Sequence, residues 1–257
     1  MKKLALTAIS LLIAGSASAA DLRRPLPTKA PAPAPIAVYS WTGCYIGAGG
    51  GYGMWNQDNQ VLAGATPVGI ETTSGGRGWF GTVQVGCDYQ VGSNIVIGAF
   101  GDYDFSGIKG DMNLPILAFH GDEKLKSSWA AGGRIGWVPF QAQQLLVYVA
   151  GGYTQARFGQ VDLAVGATPV GQHVPKHTYS GWFIGSGYEY GLGFLPGLFW
   201  KTEYRFADYS ADVLPIVVTA TGAPTAFSVD SQKYVQTIRS EIVWRFNFGG
   251  APVAARY

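Results

Sequence analysis

The chain has 257 residues, of which 37 are glycine, 14% are aromatic and only 13% are charged. A soluble domain carries about a quarter charged residues and about 7% glycine, so this composition is unusual for one. Beyond the N-terminus, no stretch reaches the roughly 18 apolar residues that a spanning helix needs, which excludes a polytopic helical membrane protein. The formal net charge of +2 gives no support to a basic nucleic-acid-binding surface.

The N-terminus is typical of an exported protein. Two lysines precede an apolar run over residues 4–15, and small residues follow it. This order predicts a signal peptide over residues 1–20, cleaved after Ala19 or Ala20. The mature chain, with its two cysteines, then enters an oxidising compartment.

The next segment, residues 21–40, is rich in proline and alanine. Such a segment cannot bury a core and favours an extended polyproline conformation. We expect a periplasmic spacer here. The alternative is an arm whose Arg23, Arg24 and Lys29 contact an anionic partner such as peptidoglycan.

From Trp41 onward, side chains alternate with period two in segments of about ten to fifteen residues, and helical spacing is nowhere sustained. In one such segment Ile97 and Tyr103 share a face, whereas Asp102 and Asp104 lie on the other. Six segments behave in this way. Their charged faces hold equal numbers of acids and bases: Asp88, Asp102, Asp104, Glu189, Glu203 and Glu241, and Lys126, Arg134, Lys201, Arg205, Arg239 and Arg245.

This alternation decides between two kinds of closed barrel. A soluble barrel would enclose its apolar face, which here carries more Trp and Tyr rings than eight strands can hold. In an outer-membrane barrel the apolar face meets lipid, and the charges face the lumen because Arg or Lys near the lipid midplane costs about 2–4 kcal/mol. Short connections at 92–94, 138–144 and 191–197 alternate with four longer ones, as expected for periplasmic turns and outer loops. The sequence predicts an all-β, eight-stranded antiparallel up-and-down transmembrane β-barrel over residues 41–248, followed by a tail at 249–257.

Three motifs resemble a known family. The stretches YSWTGCYIG at 39–47, WKTEYRF at 200–206 and WRFNFGG at 244–250 are similar to the small outer-membrane immunogenic proteins, the porin-like surface antigens of Gram-negative bacteria. The resemblance implies a barrel like the OmpA membrane domain, in an abundant envelope protein without catalysis. Its expected surroundings are outer-membrane lipid, lipopolysaccharide and the outer-membrane assembly machinery.

Two features depart from that family. Cys44 stands where an aromatic residue is usual. The tail leaves open whether Phe248 or Tyr257 is the terminal aromatic assembly signal.

The lumen of an eight-stranded barrel is narrow enough for side chains to fill. Hydrogen-bonded charge pairs offset the desolvation of charges in such a space. We therefore predict a plugged lumen and a structural role in envelope integrity, as a monomer without cofactor or metal. The alternative is a narrow porin-like diffusion channel for small solutes.

Catalysis is disfavoured, and we expect no enzyme. The chain has no G-x-S-x-G motif, and its three histidines, His120, His173 and His177, fall in predicted loops rather than strands. The spacing of the last two would suit a metal on a helix, but the proline between them argues against a helix.

The two cysteines, Cys44 and Cys87, fall near the periplasmic ends of the first two predicted strands. They can form a cross-strand disulfide if their Cα atoms lie within about 7 Å. The alternative is two lipid-facing thiols that behave as small hydrophobes.

The predicted outer loops carry two unusual features. The hexapeptide GATPVG occurs at 64–69 and again at 166–171, and the segments 114–117 and 213–218 are apolar. We expect these loops to pack over the barrel mouth or to contact a partner.

Aromatic residues are expected at both membrane–water interfaces. The candidates are Trp41, Tyr89, Trp137, Tyr190 and Phe248 on the periplasmic side, and Trp55, Trp79, Tyr103, Trp129, Tyr179 and Tyr234 at the outer rim.

Overall fold

The computed structural model describes residues 40–114 and 117–246. The predicted signal peptide, the linker up to residue 39, Phe248 and the C-terminal tail lie outside the described residues. The described part of the chain contains eleven strands: β1 (Gly43–Ala63), β2 (Thr66–Val91), β3 (Ile95–Ser106), β4 (Lys109–Leu114), β5 (Phe119–Trp137), β6 (Leu145–Phe158), β7 (Val161–Val165), β8 (Thr168–Val174), β9 (His177–Gly191), β10 (Leu198–Val218) and β11 (Pro224–Phe246). None of the described residues forms a helix long and apolar enough to cross a bilayer.

Eight of these strands close into an antiparallel ring in the order β1-β2-β3-β5-β6-β9-β10-β11. The last strand returns to the first, pairing from Cys44↔Phe246 to Ala63↔Phe227. Closure gives every ring strand two neighbours, which satisfies the backbone groups that lipid cannot. The predicted eight-stranded antiparallel barrel is confirmed.

The outer ends of the barrel differ from the prediction of long loops. β1 and β2 stay paired out to Ala63↔Thr66, and β10 and β11 out to Val217↔Pro224. Three short strands, β4, β7 and β8, extend the wall between these two hairpins. The loop prediction was wrong because the alternation of inward and outward side chains continues beyond the part of the wall that faces lipid.

Side chains alternate across the wall as the sequence predicts. The outward residues Val85 and Ile97 are 59% and 45% exposed, whereas the inward residues Gln84 and Asp102 are 3% and 7% exposed. Exposed aromatics border the outward apolar surface: Tyr89, Trp137 and Tyr190 on the side of the short turns, and Trp79, Tyr103 and Trp129 on the other side. The wall between these two sets is called the lipid-facing band below.

Three of the aromatic residues predicted at the membrane–water interfaces do not lie there. Trp41, Trp55 and Tyr179 are at most 1% exposed and pack inside the barrel. In β1 the odd-numbered positions face inward, as Tyr45 also shows. The sequence left this register open because glycine occupies so many positions of the strand.

Beyond the lipid-facing band, the interior is mainly apolar, although a few polar side chains are also buried there. Its central side chains, called the outer cap below, are buried in one cluster: Ile108, Met112, Leu114, Leu163, Leu214 and Ile216. Leu114, Leu214 and Ile216 belong to the two apolar segments noted in the sequence, and these three side chains pack over the barrel mouth. Val213, which points outward from the same strand, is 56% exposed.

The repeated hexapeptide forms the same turn twice. Gly64 and Gly166 begin the β1–β2 and β7–β8 turns with φ of 62° and 57°, a conformation that favours glycine. The valine of each copy, Val68 or Val170, packs against the buried cluster. Each copy is thus a hairpin tip anchored to the core by one apolar side chain.

Candidate functional site: the charged lumen

Eleven of the twelve charged residues predicted for the lumen are buried there, with at most 7% exposure. The exception is Lys126, which is exposed on the outer wall. A bulge in β5 shifts the register between Leu125 and Ser127, so one extra residue enters the strand. The bulge turns Leu125 inward and leaves Lys126 outside, which reverses the faces that strict alternation predicts.

Two charged side chains outside the predicted set of twelve, Glu123 and Lys233, are also buried in the interior. They are 3% and 0% exposed, and Lys233 Nζ lies 2.8 Å from Glu123 Oε1. Glu123 falls in one of the longer predicted connections. Lys233 lies on the predicted charged face of the last segment but is not counted among the lumen charges, because it stands at the start of the predicted strand. The alternation along β11 indicates the position of Lys233, because this residue lies on the same inward face as Arg239. The described residues thus bury seven acidic and six basic side chains.

At the periplasmic end, two arginines and two carboxylates form a closed square across the lumen. Arg134 donates from Nε to Asp88 Oδ1 at 2.9 Å and from Nη1 to Glu189 Oε2 at 3.2 Å. Arg245 lies 2.7 Å from the same two carboxylates, through Nη1 to Asp88 and through Nε to Glu189. The four residues come from β5, β2, β9 and β11, so the square joins strands around the ring.

In the middle of the lumen, Arg205 and Arg239 share carboxylates from β3. Arg205 donates two hydrogen bonds to Asp102, at 3.0 and 2.8 Å, and another at 2.8 Å to Glu203. Arg239 lies 3.3 Å from Asp102 and 3.1 Å from Asp104. Bidentate, charge-assisted bonds of this kind fix geometry as well as neutralising charge.

Lys201 completes this middle layer. Its ammonium lies 3.4 Å from both Glu203 and Glu241 and donates to Gln84 Oε1 at 2.6 Å. Because Glu203 also binds Arg205, the lysine and the arginine belong to one connected network.

Each of the six buried cations also lies over an aromatic ring, within the roughly 6 Å at which the ring face attracts a cation. The pairs are Arg245 over Trp41 at 4.8 Å, Arg134 over Tyr45 at 4.7 Å, Arg205 over Phe183 at 4.3 Å, Lys201 over Phe100 at 5.9 Å, Arg239 over Phe80 at 5.4 Å and Lys233 over Phe158 at 4.4 Å. Rings and ion pairs together fill the cross-section.

The Lys233–Glu123 pair lies outside the lipid-facing band, beyond Tyr234 on β11 and Trp129 on β5. Trp55 and Tyr179 also face the Lys233 ammonium, at 5.4 and 5.0 Å. Burial lowers the pKa of Lys233, and the Glu123 carboxylate opposes that shift. Burial also raises the pKa of the Tyr179 hydroxyl.

Inward-facing glycines leave room for the charged and aromatic side chains that fill the lumen. A Cβ added to Gly47 would lie 3.1 Å from Glu241 Oε2, and one added to Gly51 would lie 2.7 Å from the ring of Phe80. A cavity of about 20 Å³ remains beside Arg205 and Arg239. That volume holds about one water molecule and is too small for a hydrated ion.

On the outside of the barrel, Cys44 and Cys87 face each other across β1 and β2. The structure joins them in a disulfide with a Cα–Cα distance of 3.9 Å and leaves neither cysteine free. The bridge lies at the periplasmic end of the strand that closes the ring.

All three histidines lie in strands, which corrects their assignment to loops. His120, His173 and His177 belong to β5, β8 and β9, in the outer extensions of the wall. His177 Nε2 lies 2.9 Å from Asp212 Oδ2, with both side chains partly exposed. Within residues 40–114 and 117–246, no group of three His, Cys, Asp or Glu side chains is positioned to hold a metal ion.

Comparison with known proteins gives one clear relationship. No protein-family model matches the chain. Over 223 residues it is 30% identical to the 31 kDa outer-membrane immunogenic proteins of Brucella melitensis and Brucella suis, covering 81% of this chain and 87% of each relative.

The chain also matches several solved structures at low sequence identity. OprG from Pseudomonas aeruginosa matches with a TM-score of 0.44 and 14% identity over 80% of this chain and 97% of that one. Neisserial surface protein A matches with a TM-score of 0.38 and 14% identity over 80% and 98%. Ail of Yersinia pestis matches with a TM-score of 0.33 and 9% identity over 79% and 99%.

Proposed function

Because the chain belongs to the family of the 31 kDa outer-membrane immunogenic proteins, we propose that this outer-membrane barrel is a closed, non-conducting structural protein of the bacterial envelope. The observation that carries the proposal is the connection of buried charges across the lumen. Arg134 and Arg245 each bind both Asp88 and Glu189. Arg205 links its own strand to Asp102 on the far side of the ring.

Both ends of the lumen support the same proposal. On the periplasmic side Trp41 is fully buried, packs on Phe199 and donates its indole N–H to the carbonyl of Gln143 at 3.2 Å. On the outer side the outer cap covers the charged layers. An ion would have to displace apolar side chains and break charge pairs to pass.

Conductance in planar bilayers tests this proposal against the narrow diffusion channel. The mature chain, reconstituted beside a conducting porin as a control for insertion, is expected to give a flat current trace. Reproducible conductance steps of one size, from preparations whose gel mobility changes on heating as it does for folded barrels, would favour the channel.

The proposed role is not enzymatic. His177 pairs with Asp212 at the outer rim, and in the described part of the chain no Ser or Cys side chain is hydrogen-bonded to it. A panel of protease, lipase and acyltransferase substrates is expected to show no turnover. Turnover that disappears in the His177→Ala variant would overturn this proposal.

We propose that the Cys44–Cys87 bridge holds the register of β1, whose many glycines specify it weakly. Intact mass is expected to rise by about two daltons on reduction, one for each hydrogen gained. After reduction the barrel should unfold at a lower temperature, measured as the temperature at which its gel mobility changes. An unchanged mass would show two free thiols.

The linker over residues 21–40 is proposed as a periplasmic spacer, and the barrel as a monomer. Deletion of residues 21–37 is then expected to leave pull-down on purified peptidoglycan unchanged. A loss of pull-down would favour a wall-binding arm that uses Arg23, Arg24 and Lys29.

A further inference from the structure

Five basic side chains lie on the outer wall just beyond the lipid-facing band. They are called the basic arc: Arg77, Lys109, Lys124, Lys126 and Arg157. All point away from the lumen; four are exposed and Lys124 is half-buried. The arc includes the lysine that the sequence had placed in the lumen.

Strand pairing makes these residues neighbours. Arg77 pairs with Lys109, and Lys109 pairs with Lys124. Lys126 occupies the bulge that follows, and Arg157 pairs with the next residue, Ser127. Like charges directly opposite each other destabilise a sheet, so this arrangement calls for an anion.

The described part of the chain supplies no such anion, since it contains no carboxylate within ion-pair distance of these five cations. On the outward face of the same strands the nearest acids, Asp111 and Asp122, lie opposite each other two residues farther from the membrane, and the adjacent Glu123 points inward to Lys233. Other outward acids, such as Asp58 and Asp208, lie on β1 and β10 instead. The membrane-proximal row from β2 to β6 is therefore basic only.

The distance of the basic arc from the lipid-facing band matches the position of the lipid headgroup layer. Arg77, Lys126 and Arg157 lie two, three and four residues beyond the exposed aromatics Trp79, Trp129 and Tyr153. At about 3.3 Å per residue along a tilted strand, this places their backbone within roughly 13 Å of the band. Bilayer headgroups occupy the layer next to the hydrocarbon, and these long side chains can reach down to it.

We propose that the basic arc binds the phosphate groups of phosphorylated glycolipid, the lipid A part of lipopolysaccharide, in the outer leaflet. Phosphate oxygens between neighbouring strands would bridge cations that the protein leaves unpaired. The binding would be one-sided, along β2 to β6. It is independent of whether the lumen conducts.

The test measures binding of diphosphorylated lipid A to the folded, full mature chain by native mass spectrometry. The main variant is Lys109→Gln/Lys124→Gln/Lys126→Gln, and the matched control, Lys109→Arg/Lys124→Arg/Lys126→Arg, keeps the charge. Each basic side chain near an anionic surface contributes about fivefold, so the Gln variant should bind roughly 100-fold more weakly. The Arg variant should bind within about threefold of the wild type.

Two further ligands identify the source of the phosphate, and a single variant provides a second test of the proposal. Dephosphorylated lipid A should bind the wild type as weakly as lipid A binds the Gln variant, and inorganic phosphate at matched concentration should not displace lipid A. If the triple variant does not fold, the exposed Lys126→Gln variant alone should show a fivefold loss.

Several results would overturn the proposal. One is equal binding by the Gln variant, and another is equal binding of the dephosphorylated lipid. Displacement by inorganic phosphate would indicate a site for free anion. A lipid-free dimer that is lost in the Gln variant would assign the arc to a second copy of the chain.

Discussion

Within the lipid-facing band the lumen is filled by arginines, lysines and carboxylates, whereas the outer cap is filled by leucine, isoleucine and methionine. The two regions share strands, so a single strand reverses its pattern along its length. On β5, Ile135 points out and Arg134 in, but farther along Lys126 is exposed and Leu125 is buried. The reversal occurs where the solvent outside the wall changes from hydrocarbon to water.

This reversal shows that the surroundings of the outward face determine which type of residue faces inward. Inside the band the outer face must be apolar because lipid cannot solvate charge, and the strand places its polar residues inside, where they pair. Beyond the band, water solvates the outer face and the hydrophobic effect favours an apolar interior. One barrel is closed by ion pairs at one level and by a conventional core at the next.

Removal of one cation from the periplasmic square should have the largest effect. Arg134→Leu leaves Asp88 and Glu189 sharing Arg245, so we expect a loss of about 3–5 kcal/mol in unfolding free energy, as for a broken buried ion pair. Urea unfolding of the folded barrel in lipid vesicles measures it. The control is Lys176→Leu, at an exposed position, which should change stability by less than about 0.5 kcal/mol. Similar losses in both variants would show that the square contributes little.

Truncation of a side chain in the outer cap should reduce the unfolding free energy by a smaller amount, because it removes apolar burial rather than an ion pair. Leu114→Ala removes a side chain that is 0% exposed, so a loss of about 2–4 kcal/mol is expected from lost burial and a residual cavity. The same vesicle assay applies. The control is Val213→Ala, on the exposed face, for which a loss above about 0.5 kcal/mol would contradict the assignment of faces.

Replacement of the whole outer ion pair should have the smallest net effect. Lys233→Met and Glu123→Leu together convert the buried pair into apolar side chains continuous with the outer cap. The double variant is expected to lie within about 1 kcal/mol of the wild type, since such replacements are often neutral or stabilising.

Each single variant serves as the control for that pair. Alone, either leaves its partner charge buried without an opposite charge, and should be clearly less stable than the double variant. Additive losses in the double variant would show that Lys233 and Glu123 are not coupled.

Most of the lumen could be predicted from the sequence because alternation is a local property. Ile97 and Asp102 reveal their faces without knowledge of any other strand, and lipid permits only one orientation of the wall. The bulge at Lys126 could not be predicted, because it depends on where β6 pairs with β5. Gly47 and its neighbours likewise left the face of Trp55 open until pairing with β11 fixed it.

The sequence by itself determined the class of fold and, except at Lys126, the charged face of the six strands with clear alternation, since period-two patterning and the cost of charge in lipid act residue by residue. Only the tertiary structure decided which charges meet, as when Arg134 and Arg245 reach the same two carboxylates from different strands. It also decided that Glu123 and Lys233 join the interior and that the outer segments become wall. These outcomes depend on register and closure, which bring together residues that are far apart in the chain.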